Sequence, residues 1–221
     1  MKSFQRFFLF ALLCAGFSDL IAQQSPLSIG NLETMNVKVE AVKYKGKNAI
    51  HVTGIAEGEQ LAILKNSDFK NGTIEIEISG QPLPSANAGA RGFIGLAFRV
   101  RQTDSVRYEC FYIRPTNGRA DDQLRRNHST QYISHPGYPW FKLRKEYPGV
   151  YESYVDLVAG EWTKLKIVVQ DKEARLYVHG ADQPSLIVKD LKQDLSSGAI
   201  ALWIDIGTDA YFANLKVQKK E

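Results

Sequence analysis

The chain has 221 residues, 44% hydrophobic and 11% aromatic, enough to bury one sizeable core and too apolar for a disordered segment. Its formal net charge is +4, from 28 Lys and Arg against 24 Asp and Glu, a near-balance that excludes the broad basic face of a nucleic-acid binder. Two cysteines exclude a small scaffold stapled by disulfides.

In chain order, Lys2 and Arg6 make a positive start, and Phe7 to Phe17 is an apolar run too short to span a bilayer. Ala22 before Gln23-Gln24 offers a cleavage point. Residues 1–22 are therefore expected to be a signal peptide. Residues 23–221 are expected to be one exported domain, periplasmic or extracellular, with no transmembrane segment. Leu13, just before Cys14, is larger than a lipid-anchor signal wants. Removing Lys2, Arg6 and Asp19 takes the net charge to +3 and leaves Cys110 as the remaining cysteine, which reads as buried filler in a strand.

Met35 to Val42 and Ala49 to Thr53 alternate around the turn at Lys45-Gly46-Lys47, a hairpin signal. Asn71-Gly72 turns into Thr73 to Ser79, where Ile74, Ile76 and Ile78 alternate with Glu75 and Glu77. That pattern is a half-buried strand. Gly80 to Gly92 reads as a loop. Phe93 to Arg101 follows, with Ile94, Leu96, Phe98 and Val100 on one parity and Gly95, Ala97, Arg99 and Arg101 on the other. The small residues beside Arg99 are expected to leave room for a ligand on the open face. Trp162 to Gln170 and Ala174 to His179 form a second hairpin through Asp171-Lys172, and Gly198 to Ile206 and Tyr211 to Val217 complete the set. Many short strands with Gly, Asn and Asp turns predict an all-β, two-sheet antiparallel sandwich of the jelly-roll kind.

The segment from Tyr108 to Tyr154 breaks this rhythm. It starts as a strand, leaves it at Arg114-Pro115, and then gathers arginines, tyrosines, His128, His135 and Trp140. A long loop in a compact domain is functional or disordered, and the aromatics argue for order. It is read as a site-building inserted loop with a short helical turn admitted in 117–127. Between Arg114 and Glu146 seven cations face Asp121, Asp122 and Glu146, so the insertion is locally basic.

The motifs F-x-N-G-T-I-E-I-E-I (69–78), E-W-T-K-L-K-I-V-V (161–169), A-R-L-Y-V (174–178), G-A-I-A-L-W (198–203) and A-Y-F-A-N-L-K-V (210–217) resemble the concanavalin A-like lectin/glucanase superfamily. Within it the chain is similar to laminin-G-like and 3-keto-disaccharide hydrolase-like domains of exported bacterial proteins, often labelled family 16 glycoside hydrolase-like. The resemblance covers most of the chain from Lys38 onward. It implies a concave sheet that holds carbohydrate, with Arg99 and Trp203 lining the groove and the insertion covering one end. Calcium is common among lectin relatives, but no Asp-rich loop for it stands out, and no metal site is predicted. The E-x-D-x-x-E strand signature of true family 16 hydrolases is absent, so a retaining mechanism of that type is not implied.

The residues leave several chemistries open. His128, Tyr132 and Glu109 are the acid/base candidates, since a His and a Tyr beside one sugar can remove and return a proton. Arg99, Arg114, Asn117, Arg126, Gln131, Trp140 and Trp203 are the substrate-binding candidates, guanidiniums and amides for an anionic sugar and aromatics for ring faces. Beside these stand blander roles. Asn127, His128 and Gln131 can serve the backbone of a long loop, and Glu109 can pair with Arg99 or Arg114. The expected function is glycan or disaccharide processing of the glycoside hydrolase-like kind. The alternatives are a non-catalytic lectin-like module, a polysaccharide lyase acting on an anionic glycan, and a domain that docks a protein partner.

Overall fold

The alternation at 73–79 becomes the centre of a sheet. In the computed structural model, which describes residues 27–87 and 89–220, Ile74, Ile76 and Ile78 are buried while Thr73, Glu75 and Glu77 stay partly exposed. Burying each isoleucine contributes about 1.5–3 kcal/mol, which fixes the strand's register against a one-residue slip. The expected signal peptide, residues 1–22, lies outside the described residues.

The strands in chain order are β1 (Leu32–Met35), β2 (Val37–Tyr44), β3 (Lys47–Gly54), β4 (Gln60–Leu64), β5 (Asn71–Pro82), β6 (Ile94–Gln102) and β7 (Val106–Ile113). After helix α1 (Gln123–Asn127) come β8 (Thr130–His135), helix α2 (Trp140–Glu146), β9 (Glu152–Ser153) and β10 (Thr163–Gln170). The chain closes with β11 (Glu173–Val178), β12 (Leu186–Val188), β13 (Ala199–Ile204) and β14 (Thr208–Lys220). Two seven-stranded antiparallel sheets result, in the orders β1-β4-β13-β6-β7-β8-β9 and β12-β11-β10-β5-β14-β3-β2. The predicted two-sheet sandwich is the observed architecture.

The inserted loop needs correction. Residues 115–154 carry β8, which pairs with β7 along six residues, then α2 and the short β9 on the sheet edge. The segment extends the first sheet by two strands, so its aromatics are placed by hydrogen-bonded backbone and not by a free loop.

Register determines which side chains can meet. Across the first sheet, Leu61, Trp203, Gly95, Tyr112, Gln131 and Glu152 are successive partners in one row. The neighbouring row runs Ala62, Leu202, Leu96, Phe111 and Tyr132. Adjacent rows point to opposite faces. The second row points between the sheets. Phe111 stacks with Phe98 (6.3 Å), and Phe98 meets Phe69 edge-on (6.3 Å) at the entrance to β5. The first row therefore points away from the second sheet.

Candidate functional site

The outward row builds one end of the site. Gly95 permits it, because a Cβ there would stand 2.5 Å from the Cβ of Tyr112. In that space Tyr112 stacks on Trp203 (4.8 Å) and on Phe93 (5.5 Å), and the Trp203 indole N–H donates to the Tyr108 hydroxyl at 3.0 Å. Burial pushes the Tyr112 hydroxyl up to about 12, so it remains protonated.

Arg114 sits on this aromatic layer at the end of β7. Its Nη2 donates to Tyr112 Oη (2.8 Å) and Gln131 Oε1 (3.2 Å), and its Nη1 to the His128 carbonyl (3.1 Å). Its guanidinium carbon lies 5.0 Å from the Phe93 ring, 5.2 Å from Tyr112 and 5.5 Å from Trp140. Gln131 completes the support by donating to the carbonyls of Tyr132 and Tyr151.

Two short helices shape the rest. Asp122 caps α1 by accepting from the Arg125 N–H at 2.9 Å, with Arg125 and Arg126 in the last turn, where cations suit the helix dipole. In α2, Leu143 is buried and anchors the helix. Its neighbour Arg144 lies 4.7 Å from the Trp140 ring four residues earlier, the separation that places two side chains on one helical face.

These cations converge on Glu152. Arg144 donates to both carboxylate oxygens, Nε at 3.1 Å to each and Nη2 at 2.8 Å to Oε2. His128 Nδ1 lies 2.8 Å from Oε2 and Arg114 Nη1 lies 4.0 Å away. The Glu152 side chain is only 4% exposed. Burial holds the His128 pKa below its ordinary 6.5, with Arg144 and Arg114 acting in the same direction against Glu152, so the ring is neutral at pH 7.

Around this cluster opens a two-part cavity. The larger part, about 780 Å³, is lined by residues that include Leu124, Pro148, Glu152 and Tyr154. The smaller, about 190 Å³, is lined by residues that include Phe93, Arg114, Asn117 and Trp140. Arg125, His128 and Arg144 belong to both walls. Arg114 Nε, Asn117 Oδ1 and Arg125 Nε are buried without a hydrogen-bond partner. Such atoms are costly to leave unmatched, and they show that the packing behind the cavity wall is polar and incompletely paired.

The structure brings together His128, Arg114, Asn117, Gln131 and Trp140 from the sequence-derived candidates. Trp203 lies on the same face but is 7% exposed and supports Tyr112 from behind. Arg126 stands behind the cavity wall, donating to Tyr154 Oη at 2.8 Å with its guanidinium carbon 5.1 Å from that ring.

Three candidates are placed elsewhere. Tyr132 belongs to the inward row and donates from its hydroxyl to Glu109 at 2.6 Å, while Glu109 also accepts the Gln193 N–H at 2.7 Å. Both residues are 0% exposed, and burial raises both their pKa values, so they form an interior pair with no route to a sugar. The expected Glu109–arginine pair is thereby replaced by a carboxyl–tyrosine pair. Arg99 is removed from the open face by a bulge between Phe98 and Arg101, where its φ is 53°. It reaches across to the second sheet and donates to the carbonyls of Lys70 (2.9 Å) and Asp171 (2.8 Å).

Glu152 and Arg144 are the functional residues that pattern reasoning missed. The sequence signal for them is weak, since Glu152 is the second acid, after Glu146, beyond the cations at 142–145. Among the described residues, no group of three His, Cys, Asp or Glu side chains could hold a metal ion, and no helix is long and apolar enough to cross a membrane.

No protein-family model matches the sequence, and no curated protein matches it. Solved structures do match. Carbohydrate-binding module CBM66 from Bacillus subtilis is similar over 85% of this chain and 95% of its own, with a TM-score of 0.55 at 14% identity. The exoplasmic/lumenal domain of VIP36, in its Ca2+/Man3GlcNAc-bound form, is similar over 91% of this chain and 88% of its own, with a TM-score of 0.54 at 9% identity. A Bacillus licheniformis β-glucanase is similar over 90% and 97%, with a TM-score of 0.50 at 11% identity. At such identities the likeness speaks for the fold. The fold is the concanavalin A-like jelly-roll sandwich that the sequence motifs resemble.

Proposed function

We propose that this chain is an exported carbohydrate-binding domain, residues 23–221 after removal of a signal peptide, that holds a glycan in the two-part cavity of its insertion. The observation that carries the reading is the cavity wall itself, where Arg125, Asn127 and Arg144 stand beside the exposed aromatic residues Tyr154 and Trp140, the latter 40% exposed. Sugars need this combination of directed polar groups and apolar surface. The solved structures named as a carbohydrate-binding module and as a sugar-bound lumenal domain share the fold, which supports the reading at the level of architecture.

Binding is favoured over hydrolysis by the state of Glu152. A glycosidase requires two carboxyl groups free to act as acid and nucleophile or base. Glu152 is held by three Arg144 hydrogen bonds with His128 beside it, and Glu109 is in the interior, so neither is available. A lyase is the second reading, favoured by one feature: a neutral His128 on the cavity wall, 2.8 Å from the Glu152 carboxylate, is a competent proton acceptor. The binding chemistry is assigned to side chains alone, without a metal.

The test is calorimetric titration of the mature protein with neutral and uronate-containing oligosaccharides, following new reducing ends and unsaturated uronates in the same samples. Saturable binding without either product supports the proposal. Unsaturated product that disappears in His128→Gln transfers the assignment to a lyase, and new reducing ends without unsaturation transfer it to a hydrolase.

A further inference from the structure

The two parts of the cavity offer a ligand different surfaces. The larger part keeps polar groups within reach, the exposed Asp122 and Asn127 among them, beside Leu124 and Tyr154. The accessible wall of the smaller part is almost wholly apolar, although several of its residues carry charge. At about 190 Å³ it falls below the roughly 300 Å³ at which pockets for whole small molecules begin, so it has room for a substituent.

The hydrogen bonds explain the contrast. Arg114 has its outward N–H groups already engaged, Nη2 by Tyr112 and Gln131 and Nη1 by the His128 carbonyl. The rings of Phe93, Tyr112 and Trp140 stand 5.0, 5.2 and 5.5 Å from its guanidinium carbon and cover it. Arg144 directs Nε and Nη2 at Glu152, on the wall of the larger part. Arg114 Nε, Asn117 Oδ1 and Arg125 Nε are buried behind the surface, out of a ligand's reach. The apolar residues of the lining, Phe93 and Trp140, are half-buried and exposed respectively, and their rings face the space that remains. A firmly held water needs about two to four polar partners, which such a wall does not offer. An apolar group gains by displacing water held so poorly.

We infer that the smaller part is an apolar subsite that takes the methyl group of a substituted sugar, the acetyl methyl of an N-acetylated residue or the methyl of a 6-deoxy residue, while the larger part holds the ring and its hydroxyls. The inference rests on the glycan reading above and names the class of glycan. Phe93 and Trp140 supply the surface that the methyl group buries. Arg114, pinned by Tyr112, Gln131 and the His128 carbonyl, holds the two rings apart, so the subsite is assembled before the ligand arrives.

The experiment titrates the mature protein calorimetrically, at several temperatures, with two matched pairs. The first is a cello-oligosaccharide against the chito-oligosaccharide of equal length, which differ by hydroxyl against acetamide, and the second is a hexose oligosaccharide against its 6-deoxy counterpart. In at least one pair the methyl-bearing member binds about fourfold tighter or more, the factor that one buried methyl group supplies. Its heat-capacity change of binding is also the more negative, the mark of apolar burial. A preference within the first pair assigns an acetyl methyl, and one within the second assigns a deoxy methyl. Phe93→Ser shrinks the preference, whatever it does to the plain ligand, and Phe93→Leu, which keeps the wall apolar, retains it. Should Phe93→Ser fail to fold, the wild-type affinities and heat capacities decide alone. Affinities that differ by less than that factor in both pairs overturn the subsite and leave the glycan reading intact, as does a preference without the heat-capacity difference or one that survives Phe93→Ser in full. Absence of binding to every glycan overturns both.

Discussion

Glu152→Gln removes the carboxylate on which the cations of the insertion converge, and the geometry sets the size of the effect. Arg144 makes three bonds of 2.8–3.1 Å to it, with His128 at 2.8 Å and Arg114 at 4.0 Å. Removing one partner of a well-buried pair costs about 3–5 kcal/mol. Here the Arg144 side chain is 30% exposed and can turn toward water, and glutamine keeps one acceptor oxygen. The expected loss is about 2–3 kcal/mol, or about 4–12 °C in Tm for a domain of this size. Urea unfolding of wild type, Glu152→Gln, Arg144→Gln and the double variant measures it. The double variant should cost no more than about 1 kcal/mol beyond the worse single, because the two residues act as one unit. A loss below about 0.5 kcal/mol for Glu152→Gln, or two single effects that simply add, would refute the reasoning.

Three further expectations concern other parts of the molecule. Glu109→Gln and Tyr132→Phe each destabilise the fold by about 1–3 kcal/mol, since each leaves a buried polar group short of a partner, yet glycan affinity stays at the wild-type value; a loss of affinity without a loss of stability would restore them to the site. Burial depresses the His128 pKa below 6.5, so the unfolded chain takes up that proton more readily and the contribution to stability falls as pH drops through 6.5. Wild type should therefore lose more stability than His128→Gln between about pH 7.5 and pH 5, and parallel pH profiles would contradict the half-buried neutral ring. Gly95→Ala forces a Cβ against the Phe111 carbonyl and Tyr112, costing about 1–3 kcal/mol and weakening the near-ultraviolet dichroism of the Tyr112–Trp203 stack; an unperturbed spectrum and Tm would show that the sheet tolerates the methyl group.

Much of the sandwich is legible because one face of its second sheet meets water. The alternation of Ile74, Ile76 and Ile78 with acids gives strand, face and register together. The first sheet hides the same information. β4, Gln60–Leu64, is buried at every position, so after Gln60 no polar residue marks its pleat. β8 reads as loop because Tyr132 and Ser134 serve an interior polar network while Gln131 serves Arg114, making both faces polar. Arg99 shows the limit of parity arguments, since a single bulged residue turned a groove residue into a bridge between the sheets. The site was legible as a crowd of arginines and aromatics around His128. Its organising acid was not, because Glu152 lies on a two-residue strand whose place beside Gln131 is set by tertiary pairing.

The most direct measurement of the central claim is a tryptophan fluorescence titration with neutral and uronate-containing oligosaccharides. Of the three tryptophans, Trp140 is the one at the cavity wall, while Trp203 is buried behind Tyr112 and Trp162 lies beside Tyr44 and Lys47. The account predicts a saturable change in emission that is abolished in Trp140→Phe, with the calorimetric affinity of that variant reduced about tenfold through loss of the surface flanking Arg114 and Arg144. An emission change that persists in Trp140→Phe, with unaltered affinity, would place the ligand elsewhere and contradict the account.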